Sequence, residues 1–176
     1  MKLKWISALA AGMLASAVFT ANVLATPPTP TLKQQILATA SFGALRLDAV
    51  QYPPYWRARL RTHGISDVYV VDTAFSPGDS TGWHSHPGPS LVIVKTGTVT
   101  NYEADGSTCT THTYTAGQGF VDAGGSDEHM VRDDTTAPAE LIAVQILPGG
   151  SQRRIDEPAP ANCPTPATPN PQTRNR

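Results

Sequence analysis

From Asp67 onward the chain is a succession of short apolar and β-branched runs separated by clusters of glycine, proline and aspartate. Seven runs predict strands: Asp67 to Phe75, Ser90 to Lys95, Thr98 to Tyr102, Thr111 to Tyr114, Gly119 to Asp122, His129 to Arg132 and Glu140 to Leu147. Between them stand Ser76-Pro77-Gly78-Asp79, Lys95-Thr96-Gly97, Ala104-Asp105-Gly106 and Ala123-Gly124-Gly125, residues suited to tight reversals between antiparallel strands. This texture predicts an all-β sandwich or barrel with little helix. One short helix is expected over Leu32 to Ala40, from the spacing of Leu32, Ile36 and Leu37, and Tyr52-Pro53-Pro54-Tyr55 stops any continuation.

The first 25 residues have a different pattern. Met1-Lys2-Leu3-Lys4 is basic, Ile6 to Leu24 is uncharged and largely apolar, and Val23-Leu24-Ala25 suits signal peptidase, so cleavage is expected after Ala25. The rival reading is an uncleaved anchor, because the stretch is nearly long enough to span a bilayer. Export places the rest in the periplasm or medium, without stable membrane insertion after cleavage. Thr26 to Thr31 and the proline-rich end after Pro158 read as extended segments that pack poorly. The expected organisation is a signal peptide at 1–25, a linker and arm at 26–62, a β-barrel at 63–157 and a tail at 158–176.

Of 176 residues, 13 are basic and 14 acidic, and two of the basic ones, Lys2 and Lys4, lie in the leader. The exported part therefore has a net charge of −3 and gathers no basic patch, which argues against a nucleic-acid partner. The only cysteines, Cys109 and Cys163, both lie in that part. Outside the cytoplasm such a pair is most simply a disulfide; the alternative is a thiol ligand or nucleophile, for which neither has a suitable neighbour in sequence. There is no internal repeat, phosphate-binding glycine loop or nucleophile elbow.

Candidate chemistry rests on histidine. In Gly82-Trp83-His84-Ser85-His86, residues i and i+2 of a strand leave from one face, so His84 and His86 can address one ion. His129 opens a later strand after Gly124-Gly125-Ser126-Asp127-Glu128, and two such strands can be neighbours in an antiparallel barrel. Three histidines with open positions make a reactive metal centre rather than a closed structural one. His63 and His112 have no such context and read as surface or hydrogen-bonded residues, while Trp83 and Phe120 read as barrel wall.

These residues resemble the motifs of the cupin superfamily. The first motif is a glycine, five residues, His-x-His, three or four residues, Glu, six residues and a glycine. Gly78, His84, His86, Ser90 and Gly97 fit every spacing, with Ser90 standing where the carboxylate ligand is usual. The second motif is looser: Gly117, Ala123-Gly124-Gly125, His129 and Asp133 occupy it, without its proline and asparagine. The resemblance covers about Gly78 to Leu147. It implies a cupin-type double-stranded β-helix, or jelly roll, with His84, His86 and His129 as ligands to one divalent ion (Fe, Mn, Zn or Ni, iron slightly favoured). Ser90 would then lie beside the ion or in the fourth-ligand position, with Asp127 as the other candidate for the missing carboxylate.

The function implied is that of a secreted metal-binding protein acting on, or binding, a small molecule. If it is an enzyme, a metal-dependent dioxygenase is expected, since three-histidine cupins include iron(II) dioxygenases. The alternatives are a non-catalytic cupin that binds a small anion or sugar, and a Zn or Mn isomerase-type cupin. A homodimer through sheet edges or barrel faces is the assembly considered.

Overall fold

The computed structural model describes residues 24–165. Residues 1–23 of the expected leader and the end of the expected tail lie outside them. The described chain has no helix: its elements are β1 (Lys33–Phe42), β2 (Arg46–Gln51), β3 (Trp56–Arg61), β4 (Ser66–Phe75), β5 (His84–Ser85), β6 (Ser90–Thr96), β7 (Thr98–Asp105), β8 (Thr108–Thr115), β9 (Gly119–Asp122), β10 (His129–Arg132), β11 (Ala139–Pro148) and β12 (Ile155–Asp156). Among the described residues no helix is long and apolar enough to cross a membrane.

Two five-stranded antiparallel sheets face each other, ordered β1-β4-β11-β6-β9 and β12-β5-β10-β7-β8. In the first, burial alternates strictly along β11, so that Leu141 and Ala143 point in while Ile142 and Val144 lie on the outer face. Val92 and Val94 of β6 and Phe120 of β9 join them, and Val99 and Val131 come across from the second sheet. This is the period-2 pattern of sheets with one face turned to a core. Cutting a core side chain such as Leu141 back to alanine costs about 2–5 kcal/mol. Between β6 and β7 the reversal depends on Gly97, at φ 74°, where a Cβ would lie 2.5 Å from the Pro138 carbonyl oxygen.

The second sheet is covered on its outer face as well. Trp83, Tyr102 and Met130 pack there against Ala159 and the cystine, so the segment after β12 forms a strap across the strands that hold the histidines. Cys109 and Cys163 are bonded as expected, with Cα atoms 5.3 Å apart. The Trp83 indole donates to the Pro164 carbonyl at 3.0 Å. From the other end of the chain, Thr26 accepts from the Trp83 amide at 2.7 Å and Thr29 donates to Asp79 at 2.9 Å. Two sequence-distant segments thus clamp the short strand β5.

The helix expected over Leu32 to Ala40 is a strand. These residues form β1, paired with β4 from Lys33↔Ala74 to Phe42↔Ser66 with a bulge between Ile36 and Ala38. As an edge strand with both faces largely open, β1 leaves Ile36 51% and Leu37 50% exposed, so its apolar spacing does not mark a buried helical stripe. Pairing to the free edge of β4 satisfies the backbone and decides the matter.

Beyond β1 the chain makes an excursion, the β2–β3 hairpin, a separate two-stranded sheet running from Arg46↔Arg61 to Gln51↔Trp56. At its base Thr62 donates its amide to the Leu45 carbonyl at 3.0 Å, and the Thr62 hydroxyl accepts from the Leu45 amide.

Candidate metal centre

Strand register brings the three expected histidines together. His129 of β10 lies directly opposite His84 of β5, and His86 follows two residues on, one turn of the pleat along the same face. The rings of His84 and His129 have centroids 4.2 Å apart, and His86 lies 4.8 Å and 5.4 Å from those of His84 and His129. Each offers one donor atom within 4.8 Å of the others, and all three residues are buried. His63 and His112, expected at the surface, are exposed.

The outward ring nitrogens have partners. His84 Nδ1 lies 2.9 Å from the Gly82 carbonyl oxygen and His86 Nδ1 2.7 Å from that of Arg153. A carbonyl can only accept, so both Nδ1 atoms carry the proton and both Nε2 lone pairs are left for a ligand. His129 Nδ1 is 3.4 Å from the Asp127 carbonyl, a weaker tether. Burial drives the His84 pKa well below its usual value, reinforced by the neighbouring His129. Burial likewise lowers that of His86 to about 4, against the raising effect of its bond to the Arg153 carbonyl. Both rings are therefore neutral at pH 7, as metal ligation requires.

These side chains open into a cavity of about 40 Å³ between the sheets, whose apolar wall includes Val92, Phe120 and Val131. Its polar floor is a row across three paired strands. Ser90 of β6 is opposite Gln145 of β11 on one side and opposite Asp122 of β9 on the other, and all three are buried. Gln145 donates to the Ser90 hydroxyl at 3.4 Å, and Ser90 donates to Asp122 Oδ2 at 3.1 Å. The Gln145 amide nitrogen sits 3.4 Å and 3.3 Å from the two nitrogens of His86. Being nearly equidistant from both, it lies off the axis of the Nε2 lone pair.

Asp122 is the buried polar residue that sequence reading missed. Its Oδ2 lies 3.8 Å from His86 Nε2 and its Oδ1 3.9 Å from His129 Nδ1. The Gly124 amide donates to Oδ1 at 2.8 Å. That bend needs glycine twice over: Gly124 has φ 74°, and a Cβ there would lie 2.4 Å from the Gly88 backbone. The signal for Asp122 was present in the alternation of β9, where it shares the inward face with Phe120. Asp127, the other carboxylate considered, is half-buried and accepts from the Ala123 amide at 3.4 Å.

Two arginines complete the lining. Arg153 donates to Gln145 Oε1 at 3.0 Å, and Arg154 donates to the Thr81 carbonyl at 2.6 Å and pairs with Asp156. Among the described residues Arg153 has no carboxylate partner, and burial lowers its pKa.

Two antiparallel sheets facing each other, with His84 and His86 at one strand mouth and His129 on the strand beside it, decide the architecture. The fold is the all-β, cupin-type antiparallel barrel that the sequence predicts. No family model matches the chain, and no curated protein matches it. Among solved structures, an oxalate oxidase in complex with the substrate analogue glycolate is similar at 20% identity and a TM-score of 0.42, over 44% of this chain and 41% of that one. The oxalate decarboxylase of Lactobacillus farciminis in its formate complex is similar at 16% identity and a TM-score of 0.44, over 51% of this chain and 26% of that one. A conserved Klebsiella pneumoniae protein with a double-stranded β-helix domain is similar at 18% identity and a TM-score of 0.43, over 65% of this chain and 84% of that one. The match spans less than half the length of either oxalate enzyme.

The donor set of this barrel fits a divalent cation. Two imidazoles are held neutral with Nε2 free, and a buried carboxylate beside them has no lysine or arginine partner among the described residues. Nitrogen and oxygen donors with open neighbouring space suit iron, manganese, zinc or nickel.

Proposed function

We propose that this chain is an exported metal-binding cupin whose His84, His86 and His129 hold one divalent ion that meets a small molecule in the barrel. The observation that carries the reading is the tethering of His84 and His86 through Nδ1 to backbone carbonyls, which aims both Nε2 atoms into the cavity beside His129. In a metal site such a bond fixes both the tautomer and the orientation of the ligating ring. The disulfide strap supports an oxidising compartment, where such a bond persists.

The cavity limits what can enter. A water occupies about 10–15 Å³ of such a cavity, so 40 Å³ holds an ion with a few waters or a ligand of a few heavy atoms. At the lining Arg153 supplies a cation that among the described residues has no carboxylate partner, which favours an anionic ligand such as a small carboxylate. A redox-active ion bound here would supply the one-electron steps that dioxygen needs to react with an organic substrate. In the chain itself, Arg153 orients the anion, the apolar wall excludes water, and the tethered histidines keep the donors in place. With iron as the metal, these parts would serve a dioxygenase. The second reading, a non-catalytic module that captures a small anion, is favoured by the same Arg153, which among the described residues has no carboxylate partner.

The test is elemental analysis of protein purified from the periplasm or medium, alongside His84→Ala and His86→Ala. About one equivalent of metal in the native protein and loss from both variants is the expected result. No metal in the native protein, or equal metal in the variants, overturns the reading. Oxygen uptake with small organic acids then separates the two roles: uptake that requires the metal supports the enzyme, and metal with anion binding but no uptake supports the capture module.

A further inference from the structure

In the first motif the carboxylate belongs at position 90, on β6, and this chain has a serine there. The strand register shows what the exchange leaves in place. Ser90 and Asp122 are direct cross-strand partners, and both side chains turn into the cavity. A carboxylate on β9 therefore reaches the region that a longer one on β6 would have reached.

We propose that Asp122 is the anionic ligand of the centre, supplied from β9 in place of the residue-90 carboxylate, with Ser90 as the hydrogen-bond donor that orients it. The proposal rests on the three-histidine reading and adds a fourth protein donor to it. Three observations carry it. Bonds from such an ion to nitrogen and to carboxylate oxygen are each about 2.0–2.2 Å, so two donors sharing one ion stand no more than about 4.4 Å apart. The distance of 3.8 Å from Asp122 Oδ2 to His86 Nε2 lies inside that limit, while the atoms that gather within 4.8 Å of one another come from the three histidines alone, so ligation requires the Asp122 side chain to turn further toward His84 and His129. Next, Asp122 is 3% exposed, its nearest basic groups are His86 and His129, and a carboxylate removed from water needs a cation. Finally, its two polar contacts, from the Ser90 hydroxyl and the Gly124 amide, hold the group in place while leaving it lone pairs to donate.

The rival donors are placed less well. Asp127 is turned to the Ala123 amide, and the Ser90 hydroxyl gives its proton to Asp122. Ligation by Asp122 returns to the site the negative charge that the serine removed, so the centre has the charge of a three-histidine, one-carboxylate cupin with its parts rearranged between neighbouring strands.

The experiment is titration of the full exported chain with Co(II), read by calorimetry and by its visible absorption bands. Asp122→Asn is expected to weaken binding by about 100-fold or more and to shift the bands, while Ser90→Ala, which removes only an orienting partner, weakens it by about tenfold. Adding Ser90→Glu to Asp122→Asn restores tight binding by returning a carboxylate to β6. Asp122→Asn with unchanged affinity and bands overturns the proposal while His84→Ala, having lost Co(II), still supports the three-histidine centre. No Co(II) uptake by the unmodified protein overturns both. Should Asp122→Asn fail to fold, Asp122→Glu takes its place: altered bands support ligation and unaltered bands overturn it.

Discussion

The Ser90 hydroxyl donates to Asp122 Oδ2 at 3.1 Å across the β6–β9 pair, with both residues sealed from solvent. The site therefore depends on a contact between strands rather than on one strand's motif. Ser90→Ala removes the donor and leaves a buried carboxylate oxygen short of a partner, which costs about 1–3 kcal/mol. Urea denaturation in the presence of a chelator is expected to show that loss, and a variant as stable as the parent would show that the bond does not hold the carboxylate.

The metal-free protein is expected to lose stability in acid over a defined window. His86 has a folded-state pKa of about 4, whereas in the unfolded chain it titrates near 6.5. Between these values the unfolded state binds the extra proton, so stability is complete above about pH 6.5 and falls until about pH 4, by roughly 3 kcal/mol. His84, also lowered by burial, acts in the same direction. Urea midpoints measured with chelator at pH 7.5, 5.5 and 4 check this, and His86→Ala should flatten the slope. A midpoint constant across the window would contradict it.

The Cys109–Cys163 bond closes a loop of 54 residues and is expected to contribute about 4 kcal/mol. Thiol titration of the unfolded, unreduced protein should find no free thiol. Reduction, or Cys109→Ser with Cys163→Ser, should lower the melting temperature and move Trp83 emission to the red as the strap lifts from it. Unchanged Trp83 emission after reduction would mean that the strap stays docked without its covalent tie.

In the proposed function the Arg153 guanidinium, which reaches Gln145, serves the ligand, while only its backbone carbonyl holds the metal-binding His86. Arg153→Gln keeps that carbonyl and removes the charge. Metal content should stay at the native level while acetate or formate binding weakens about tenfold, the equivalent of about 1.4 kcal/mol. Equal anion affinity in the variant would remove Arg153 from the recognition of ligands.

Much of the barrel was legible because its strands are buried on one face, and alternation reports that directly. Gly119–Asp122 and His129–Arg132 have the predicted limits, and β11 extends its predicted run by one residue at each end. β1 was not legible, since an edge strand exposed on both faces has no one-sided pattern, and its identity comes from pairing with β4. The His84 and His86 pair was readable because i and i+2 share a face on any strand. The burial of Asp122 could be read from the alternation of β9, but its place beside the histidines could not, because that depends on lying opposite Ser90, a register between strands about thirty residues apart. Arg153 was hidden for a similar reason, as β11 and β12 fix its position against Gln145.

The β2–β3 hairpin pairs with no strand of either five-stranded sheet, while its base closes through the bonds between Leu45 and Thr62. The chain enters and leaves it at nearly one point. Residues 46–61 are in that sense a cassette: a two-residue Asn-Gly turn could replace them, or another sequence be spliced in, with β1 and β4 still meeting at Phe42 and Ser66. A label, tether or second domain placed there would be carried by the barrel without touching the strands that hold the histidines.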